Sequence, residues 1–440
     1  MQIYRYPSKD KWAEILKRPV FDSTTLFDKV QPILEKVKKY GDKALIDFTE
    51  KFDKVKLESL EVTSKEIEEA EKLISLPLKQ AIEMARRNIW KFHSEQQPEL
   101  REIQTSPGVI CWQKAIPIDK VGLYIPGGSA PLFSTVLMLA IPAKIAECKE
   151  IVLCSPPDKN GNLHPALLYA AKISGVNRIF KVGGAQAIAA MAYGTETIPG
   201  VYKIFGPGNQ YVTAAKQLVS LHGVAIDMPA GPSEVEIIAD NTANPAFIAA
   251  DMLSQAEHGP DSQAILVTVH ENQIEQVLDE IKIQLNKLDR KEIALKALEH
   301  SKIIALNTLE EAVEITNLYA PEHLIISTHY SNGVADNILN AGSVFIGHFT
   351  PESAGDYASG TNHTLPTNGY ARAYNGVNLD SFIRKVTFQQ ISKEGLTNLS
   401  NAIILMAENE NLQAHSNAVK IRLENDKEED NEIDTRHIYR

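Results

Sequence analysis

Cysteine is scarce in this sequence of 440 residues, which contains only Cys111, Cys148 and Cys154. Their number is odd and they form no C-x-x-C pair, so a disulfide framework and a thiolate zinc site are both disfavoured. We therefore expect reduced thiols that are buried as small hydrophobic side chains, as is usual in a reducing compartment.

A long apolar run is also missing. The most apolar stretch, residues 130–143, contains Pro131 and Pro142 and is shorter than the ~20 residues that a membrane-spanning helix needs. Residues 1–10 lack the apolar segment and the cleavage site of a secretory signal. We therefore expect a cytoplasmic protein that has no membrane partner.

Positive charge is not in excess: 45 Lys and Arg stand against 56 Asp and Glu, a formal net charge of −11. Nucleic-acid-binding proteins usually carry a basic stripe, so we expect no nucleic-acid partner. The composition, 44% hydrophobic and 23% charged, is that of an ordinary globular protein. At ~100–200 residues per domain, the length indicates at least two domains.

The two common nucleotide-binding motifs, G-x-G-x-x-G and G-x-x-x-x-G-K-[ST], are absent. Instead, glycine-containing loops at residues 125–129, 182–186 and 205–209 each follow an apolar run and lead into a helical pattern. Glycine lets the backbone approach a ligand, and a helix N-terminus favours an anion. These loops are compatible with a dinucleotide site but do not establish one.

From Val121 onward, short apolar runs alternate with helical segments of ~10–15 residues, which predicts βα units and parallel sheets. We predict an α/β fold of two doubly wound Rossmann-like units, near residues 121–233 and from 234 to about 350. A helical N-terminal region precedes them and a small helical C-terminal extension follows. Ligands of such folds bind at the carboxyl ends of the strands, commonly where two units meet.

One helix carries a possible ligand pair. Asn244 and Pro245 mark its start and Gly259-Pro260 its end. Gln255 and His258 are three residues apart, so their side chains project from one face of the last turn. The pair suits a metal ion, but a histidine at a helix C-terminus is also favoured by the helix dipole alone. The local pattern favours this second interpretation.

Two further segments carry polar groups. Asp356 lies in a glycine-rich segment, residues 351–366, where it could complete a metal site with His363 nearby or simply form an Asx turn. Glu322 and His323 are adjacent between a helix and a strand. A histidine is the natural proton acceptor near neutral pH and a neighbouring carboxylate could activate water, but the local pattern favours a helix-terminating proline turn with two exposed polar residues.

The C-terminal helical segment, residues 400–423, contains Glu410 and His415, which alone resemble a solvated helix face. Together with Gln255, His258 and Asp356, His415 would form a nitrogen–oxygen site without thiolate, suited to zinc or a similar divalent ion. Because an amide oxygen is a weak ligand, such a site would hold its metal loosely and keep positions open for substrate.

Taken together, the motifs resemble the histidinol dehydrogenase family. The resemblance covers about Val121 to Val419, and seven motifs occur in the family's order. They begin at Gly122, Val182, Phe205, Asp227, Ser254, Tyr319 and Ser353, and read GLYIPGGSAP, VGGAQAI, FGPGN, DMPAGPSE, SQAEHGPDS, YAPEH and SAGDYASGTNH.

The resemblance implies a specific reaction, the NAD-dependent oxidation of L-histidinol to L-histidine in two steps through a bound aldehyde, in a homodimer with shared active sites and one zinc ion in each. The implied zinc ligands are Gln255, His258 and Asp356 of one subunit and His415 of the other. The implied NAD contacts are Tyr124, Gln186 and Asn209, and the implied substrate contacts are Ser233, His323 and Glu410 with the zinc ligands. His323 would be the proton acceptor and Glu322 would activate water.

The domain organisation that follows is an N-terminal segment (1–23), a discontinuous α/β domain (24–120 with 234–380), an NAD-binding α/β domain (121–233) and a helical C-terminal domain for dimer exchange (381–440), which ends in an acidic tail. Two other functions remain open for the same residues: a zinc hydrolase or aldolase without nicotinamide, and a non-catalytic small-molecule binding protein.

Overall fold

The computed structural model describes residues 1–18, 23–127, 131–229 and 231–424. The chain divides into two compact units, a larger one of Met1–Gln96 with Pro117–Phe382 and a smaller one of Gln97–Ile116 with the chain from Ile383 onward. Part of the first glycine loop (residues 128–130) and the acidic tail from residue 425 lie outside the described residues.

The larger unit contains the helices α1 (Lys9–Ile15), α2 (Ser23–Phe52), α3 (Ser64–Leu73), α4 (Leu76–Ser94), α5 (Phe133–Ile145), α6 (Pro165–Ser174), α7 (Gly184–Tyr193), α8 (Gln210–Ser220), α9 (Pro245–Ala256), α10 (Gln273–Leu285), α11 (Lys291–His300), α12 (Leu309–Tyr319), α13 (Ser331–Ala335) and α14 (Glu352–Tyr357), and the smaller unit contains α15 (Lys393–Asn409) and α16 (Gln413–Glu424). Short 3₁₀ helices span Tyr370–Arg372 and Leu379–Phe382. Within the described ranges, no helix combines the length and the apolar content needed to cross a membrane.

The strands are β1 (Gln2–Arg5), β2 (Glu102–Ser106), β3 (Val109–Pro117), β4 (Lys120–Tyr124), β5 (Glu150–Ser155), β6 (Arg178–Lys181), β7 (Lys203–Phe205), β8 (Ala225–Ile226), β9 (Glu234–Ala239), β10 (Gln263–Thr268), β11 (Lys302–Ala305), β12 (His323–Ser327), β13 (Ser343–Ile346) and β14 (Ile383–Ile391).

A five-stranded parallel sheet has the order β6-β5-β4-β7-β8. The chain starts at β4, moves outward through β5 and β6, and then returns to the other side of β4. The strand order therefore reverses between β4 and β7, and loops at such a switch point form a ligand crevice. Tyr124 ends β4 and Phe205 ends β7 at this point.

A six-stranded parallel sheet has the order β1-β11-β10-β9-β12-β13. Its middle strands are buried along their whole length, as expected for a parallel sheet covered by helices on both faces. In the register of β9 and β12, His323 lies opposite Val235, which brings the start of β12 beside the start of β9. The predicted α/β fold with parallel sheets is confirmed.

Several local features differ from the sequence interpretation. Residues 2–5, expected to form part of a separate N-terminal segment, pair with β11 as the edge strand of the six-stranded sheet. Gly41 interrupts the helical backbone with φ +51°, and a further helical segment follows it at once within α2. The division at residues 24, 121, 234 and 381 stays a prediction.

In the smaller unit, β14, β3 and β2 form a three-stranded sheet in that order, which the sequence interpretation did not anticipate. The single helix predicted over residues 400–423 is wrong. Asn411 adopts a left-handed conformation with φ +59°, which ends α15 and allows α16 to begin at Gln413. Glu410 is the C-terminal cap of α15, whereas His415 lies in α16, so the two residues do not share a helix.

Candidate active site

The candidate residues lie at the ends of strands in both parallel sheets. The carboxyl ends of β4 and β7 in the five-stranded sheet carry Tyr124 and the loop that leads to Asn209. In the six-stranded sheet the candidates lie at the amino ends of the strands, because Glu234 is the first residue of β9 and His323 is the first residue of β12. The expectation that ligand groups follow strand ends therefore describes only the first sheet.

The adjacent Glu322 and His323 are buried, with 5% and 4% of their surface exposed, so the interpretation as an exposed proline turn is wrong. Nδ1 of His323 lies 3.1 Å from the carbonyl oxygen of Glu234. A carbonyl oxygen can only accept, so Nδ1 carries the hydrogen and Nε2 presents a lone pair. Among the described residues, Nε2 has no hydrogen-bond partner. Burial lowers the pKa of His323 to about 4, so the ring is neutral near pH 7.

The carboxylate of Glu322 is anchored by one backbone group. Its Oε2 accepts the N–H of Glu234 at 2.8 Å and lies 3.7 Å from Nδ1 of His323. Burial, together with the negative charges of Glu234 and Asp356, raises the pKa of Glu322 well above its usual range. A carboxylate whose proton affinity is raised in this way is a stronger base than one in water.

A cluster of possible metal ligands lies beside His323. Ligand atoms of His258, Glu352 and Asp356 all lie within 4.8 Å of one another. Oδ1 of Asp356 is 3.7 Å from Nε2 of His323, and Oε1 of Glu352 is 3.6 Å from Nδ1 of the same ring. Three carboxyl groups, those of Glu322, Glu352 and Asp356, therefore surround one neutral imidazole.

Gln255 lies in the last turn of α9, three residues before His258 of the metal-ligand cluster. Its side chain is fully buried, and in the described part of the chain neither its amide oxygen nor its amide nitrogen has a hydrogen-bond partner. A buried amide without partners is costly in a protein interior. Such an oxygen is available to a ligand or a cation.

Protonation in the cluster follows from burial. Desolvation within the cleft lowers the pKa of His258, and the nearby charge of Asp356 opposes this shift, although part of the residue is exposed to solvent. Burial and the charges of Asp356, Glu322 and Asp251 raise the pKa of Glu352 well above its usual range. A cation in the cluster would counter these repulsions.

His363 does not complete the cluster, contrary to one of the sequence interpretations. Its Nδ1–H donates to the backbone oxygen of Asp356 at 2.9 Å, and its Nε2 lies 3.0 Å from the hydroxyl of Thr135. Both ring nitrogens are therefore engaged, and His363 supports the backbone of Asp356. Asp356 itself lies in helix α14, so the Asx-turn interpretation is wrong.

Two cavities meet at this place. The first, about 910 Å³, is lined by Ser233, His258, Glu322, His323 and Asp356 among others. The second, about 1640 Å³, is lined by Tyr124, Gln186 and Asn209 among others. Asn209 and Pro126 line both cavities, so the predicted cofactor contacts and the predicted substrate contacts border adjoining spaces.

The residues predicted to contact NAD are held by local structure. The hydroxyl of Tyr124 accepts the N–H of Gly184 at 3.0 Å, and burial raises its pKa to about 12. Asn209 caps α8, its Oδ1 accepting the N–H groups of Tyr211 and Val212 at 3.0 and 3.1 Å. Gln186 is buried in the first turns of α7.

Glu410 and His415 belong to the smaller unit. Sequence reasoning missed two residues, one in the metal-ligand cluster and one beside it. Glu352 stands four residues before Asp356, which is a helical spacing, but the glycine-rich segment predicts a loop. Glu234, whose backbone contacts both Glu322 and His323, stands immediately after Ser233.

Comparison with known proteins agrees with these observations. The family profile described as histidinol dehydrogenase matches residues 16–423. Over 423 residues the chain is 64% identical to the histidinol dehydrogenase of Bacteroides thetaiotaomicron, covering 96% of this chain and 99% of the relative. It is 52% identical over 425 residues to the enzyme of Vibrio parahaemolyticus, covering 96% and 98%.

A crystal structure of histidinol dehydrogenase from Elizabethkingia anophelis superimposes with a TM-score of 0.95 at 56% identity, covering 97% of this chain and 98% of that one. The sequence resemblance is thereby confirmed, and the chain belongs to the histidinol dehydrogenase family, whose members are oxidoreductases.

Proposed function

We propose that this protein oxidises L-histidinol to L-histidine with two molecules of NAD, through an aldehyde that stays bound, and that it uses zinc. The observation that carries the proposal concerns the neutral side chain of His323. Among the described residues its Nε2 has no hydrogen-bond partner, and the residue lines a cavity that adjoins the predicted cofactor cavity. A base and a hydride acceptor are the two groups that alcohol oxidation requires.

The donor set fits a zinc ion. Gln255 supplies a buried amide oxygen without a protein partner among the described residues, and His258 and Asp356 supply an imidazole and a carboxylate. We propose that these three residues hold the metal together with His415 from the second subunit of a dimer. When bound, zinc would mainly orient the substrate through its open coordination positions.

In the first oxidation, Nε2 of His323 accepts the proton of the alcohol group while a hydride passes to NAD from the carbon that bears this group. The products are the aldehyde, NADH and one proton. The contact with the Glu234 carbonyl at 3.1 Å holds the ring in the tautomer that this step needs. Because burial lowers the pKa of His323, the proton does not remain on the ring.

In the second oxidation, Glu322 removes a proton from a water molecule as the water oxygen adds to the aldehyde carbon, and this proton then passes to the former aldehyde oxygen, so that the hydrate is formed. The hydrate then gives a second hydride to NAD, and His323 again takes the hydroxyl proton, so that a carboxylic acid and a second NADH are formed. The raised pKa of Glu322 supports this role, because a carboxylate in water is a poor base at neutral pH.

We place NAD in the cavity lined by Tyr124, Gln186 and Asn209. The switch point between β4 and β7 and the N-termini of α7 and α8 support this placement, since such sites favour a pyrophosphate. Ser233 borders the adjoining cavity and would contact the substrate. Glu410 would contact it from the second subunit.

The shared active site predicts complementation between subunits. The variants His258→Ala and His415→Ala, each inactive alone, would form mixed dimers with one intact site, which should regain up to about half of the activity of a wild-type site pair. No recovery in verified mixed dimers would contradict the exchange of His415 and Glu410 between subunits.

The division of labour between Glu322 and His323 is tested with two substrates. Glu322→Gln should still convert histidinol to the aldehyde stage but should lose NADH formation from histidinaldehyde by about 10²–10⁴-fold, the usual contribution of a general base. Glu257→Gln, a carboxylate next to His258, is the matched control and should keep both steps. Full turnover of both substrates by Glu322→Gln would contradict the assigned role.

A further inference from the structure

The zinc ligands implied by the family resemblance leave a shortfall of negative charge. Gln255 is neutral, His258 and His415 bind metals as neutral imidazoles, and Asp356 carries a single charge. A divalent cation held by this set would keep one uncompensated positive charge. Away from water such a charge costs several kcal/mol or more, and on one side this site is formed by the buried side chains of Gln255 and Glu352.

Glu352 has the position to supply the missing charge. It is 1% exposed, and its ligand atom lies within 4.8 Å of those of His258 and Asp356. Its Oε2 is buried and, in the described ranges, has no hydrogen-bond partner. No lysine or arginine forms a salt bridge with it there, and its Oε1 lies 3.6 Å from Nδ1 of the neutral His323 ring.

A buried carboxylate without a cation is as unfavourable as a buried cation without a carboxylate. Helix α14 places Glu352 and Asp356 four residues apart, hence on one face and one turn from each other. Two carboxylates and one divalent cation neutralise each other, whereas either carboxylate alone does not. Glu352 is therefore an unpaired carboxylate that lies beside a metal site lacking one negative charge.

We propose that Glu352 is part of the metal site and supplies its second negative charge, so that it sets the affinity of the site for divalent cations. This inference rests on the metal of the proposed function. It assigns to Glu352 a role that the resemblance does not imply, since Asp356 is the one carboxylate that the resemblance names among the metal ligands.

Glu352→Gln tests the proposal, because it keeps the shape of the side chain and removes the charge. Zinc affinity is measured on the full-length metal-free protein by competition with a chromogenic chelator, independently of turnover. We expect a loss of about tenfold or more, in the range found for groups that support metal ligands. Asp356→Gln serves as the benchmark for the loss of a ligand charge.

Glu257→Gln is the matched control, since it removes one charge beside His258 from a partly exposed position, where water screens it. It should change the zinc affinity by less than twofold. Glu352→Asp keeps the charge on a shorter side chain and should bind zinc more tightly than Glu352→Gln. If Glu352→Gln does not fold, Glu352→Met provides a second neutral variant for the same comparison.

A zinc affinity of Glu352→Gln within twofold of wild type, or a weaker affinity for Glu352→Asp than for Glu352→Gln, would overturn the proposal. The same preparation of wild-type protein is assayed for NADH formation. Zinc binding that depends on Glu352 without NADH formation would refute the proposed function and support this inference. A wild-type protein that binds no zinc would overturn both.

Discussion

Nδ1 of His323 donates a hydrogen bond to the backbone oxygen of Glu234 at 3.1 Å, across 89 residues of chain. The contact exists because β12 and β9 are parallel neighbours that begin side by side. It fixes which nitrogen is protonated and directs the other nitrogen toward Asp356. The strand pairing of the fold therefore determines the tautomer of the proposed base.

Replacing this base should reduce turnover and leave binding largely intact. For His323→Asn we expect kcat to fall by about 10²–10⁴-fold, with KM for histidinol changed by less than threefold. Steady-state kinetics at saturating NAD measure both constants. A loss of zinc affinity or a rise in KM alone, with kcat preserved, would assign His323 to binding instead of proton transfer.

The loop from Gly206 to Asn209 is held by a buried ion pair. Nζ of Lys216 contacts Asp227 and donates to the Gly206 oxygen at 2.9 Å, while Oδ2 of Asp227 accepts the Gly206 N–H at 2.8 Å. Lys216→Met should raise KM for NAD at least tenfold and KM for histidinol much less, because the loop leads to Asn209.

Breaking a buried pair also costs about 3–5 kcal/mol of stability, so thermal unfolding must accompany those kinetics. Lys203→Met is the control, since Lys203 donates its hydrogen bond to the backbone oxygen of Ser381 at 2.9 Å and not to Gly206. An equal rise of both KM values in Lys216→Met would contradict the specific link between Lys216 and the cofactor.

Gly355 lies between the two carboxylates of α14, and its close packing should matter for the metal. A Cβ there would stand 2.6 Å from Cε1 of the Phe345 ring, so Gly355→Ala must displace α14 or the ring. We expect zinc affinity to fall about tenfold or more. At Gly259 the nearest atom to an added Cβ is 3.9 Å away, so Gly259→Ala should bind zinc as wild type does; equal affinities for the two variants would contradict the prediction.

Glu236 predicts a dependence of stability on pH. It is fully buried, Thr316 donates to one carboxyl oxygen, and burial raises its pKa to about 8 from 4.5. The folded state therefore holds the proton more tightly than the unfolded state. The resulting stabilisation is complete below about pH 4.5 and is lost as the pH rises through 8.

Glu236→Gln removes this titration. Relative to wild type, its free energy of unfolding should increase between pH 5 and 8 by up to about 4 kcal/mol, the limit set by ~1.4 kcal/mol for each pH unit. Denaturant unfolding at several pH values measures the difference. Glu299→Gln, an exposed change, should show none, and a difference for Glu236→Gln that is independent of pH would refute the assignment.

The sequence was sufficient for the fold class and for several local elements, because these depend on periodicity and on end signals. Helix α9 begins after Asn244 with Pro245, and Asn244 accepts the N–H of Ala246 at 2.9 Å. Two of the glycine-containing loops lead into helices as predicted, since α7 begins at Gly184 and α8 begins at Gln210.

Burial at the site was beyond local reasoning. Glu322 and His323 are covered because β9, far earlier in the chain, lies beside them, and no pattern within residues 319–324 contains that information. Glu352 was missed because the glycine-rich segment predicted a loop, although Glu352 and Asp356 share a short helix. The break at Asn411 depends on a single left-handed residue.

The measurement that tests the central claim most directly is the yield of NADH per histidinol. L-histidinol is added in limiting amount to zinc-loaded protein with excess NAD, and absorbance of NADH is followed to completion, then repeated after chelation and after zinc is restored. We predict two NADH for each histidinol, loss of the reaction with chelator and recovery with zinc. No NADH from folded, zinc-loaded protein would contradict the dehydrogenase function, and one NADH per histidinol would contradict the second oxidation.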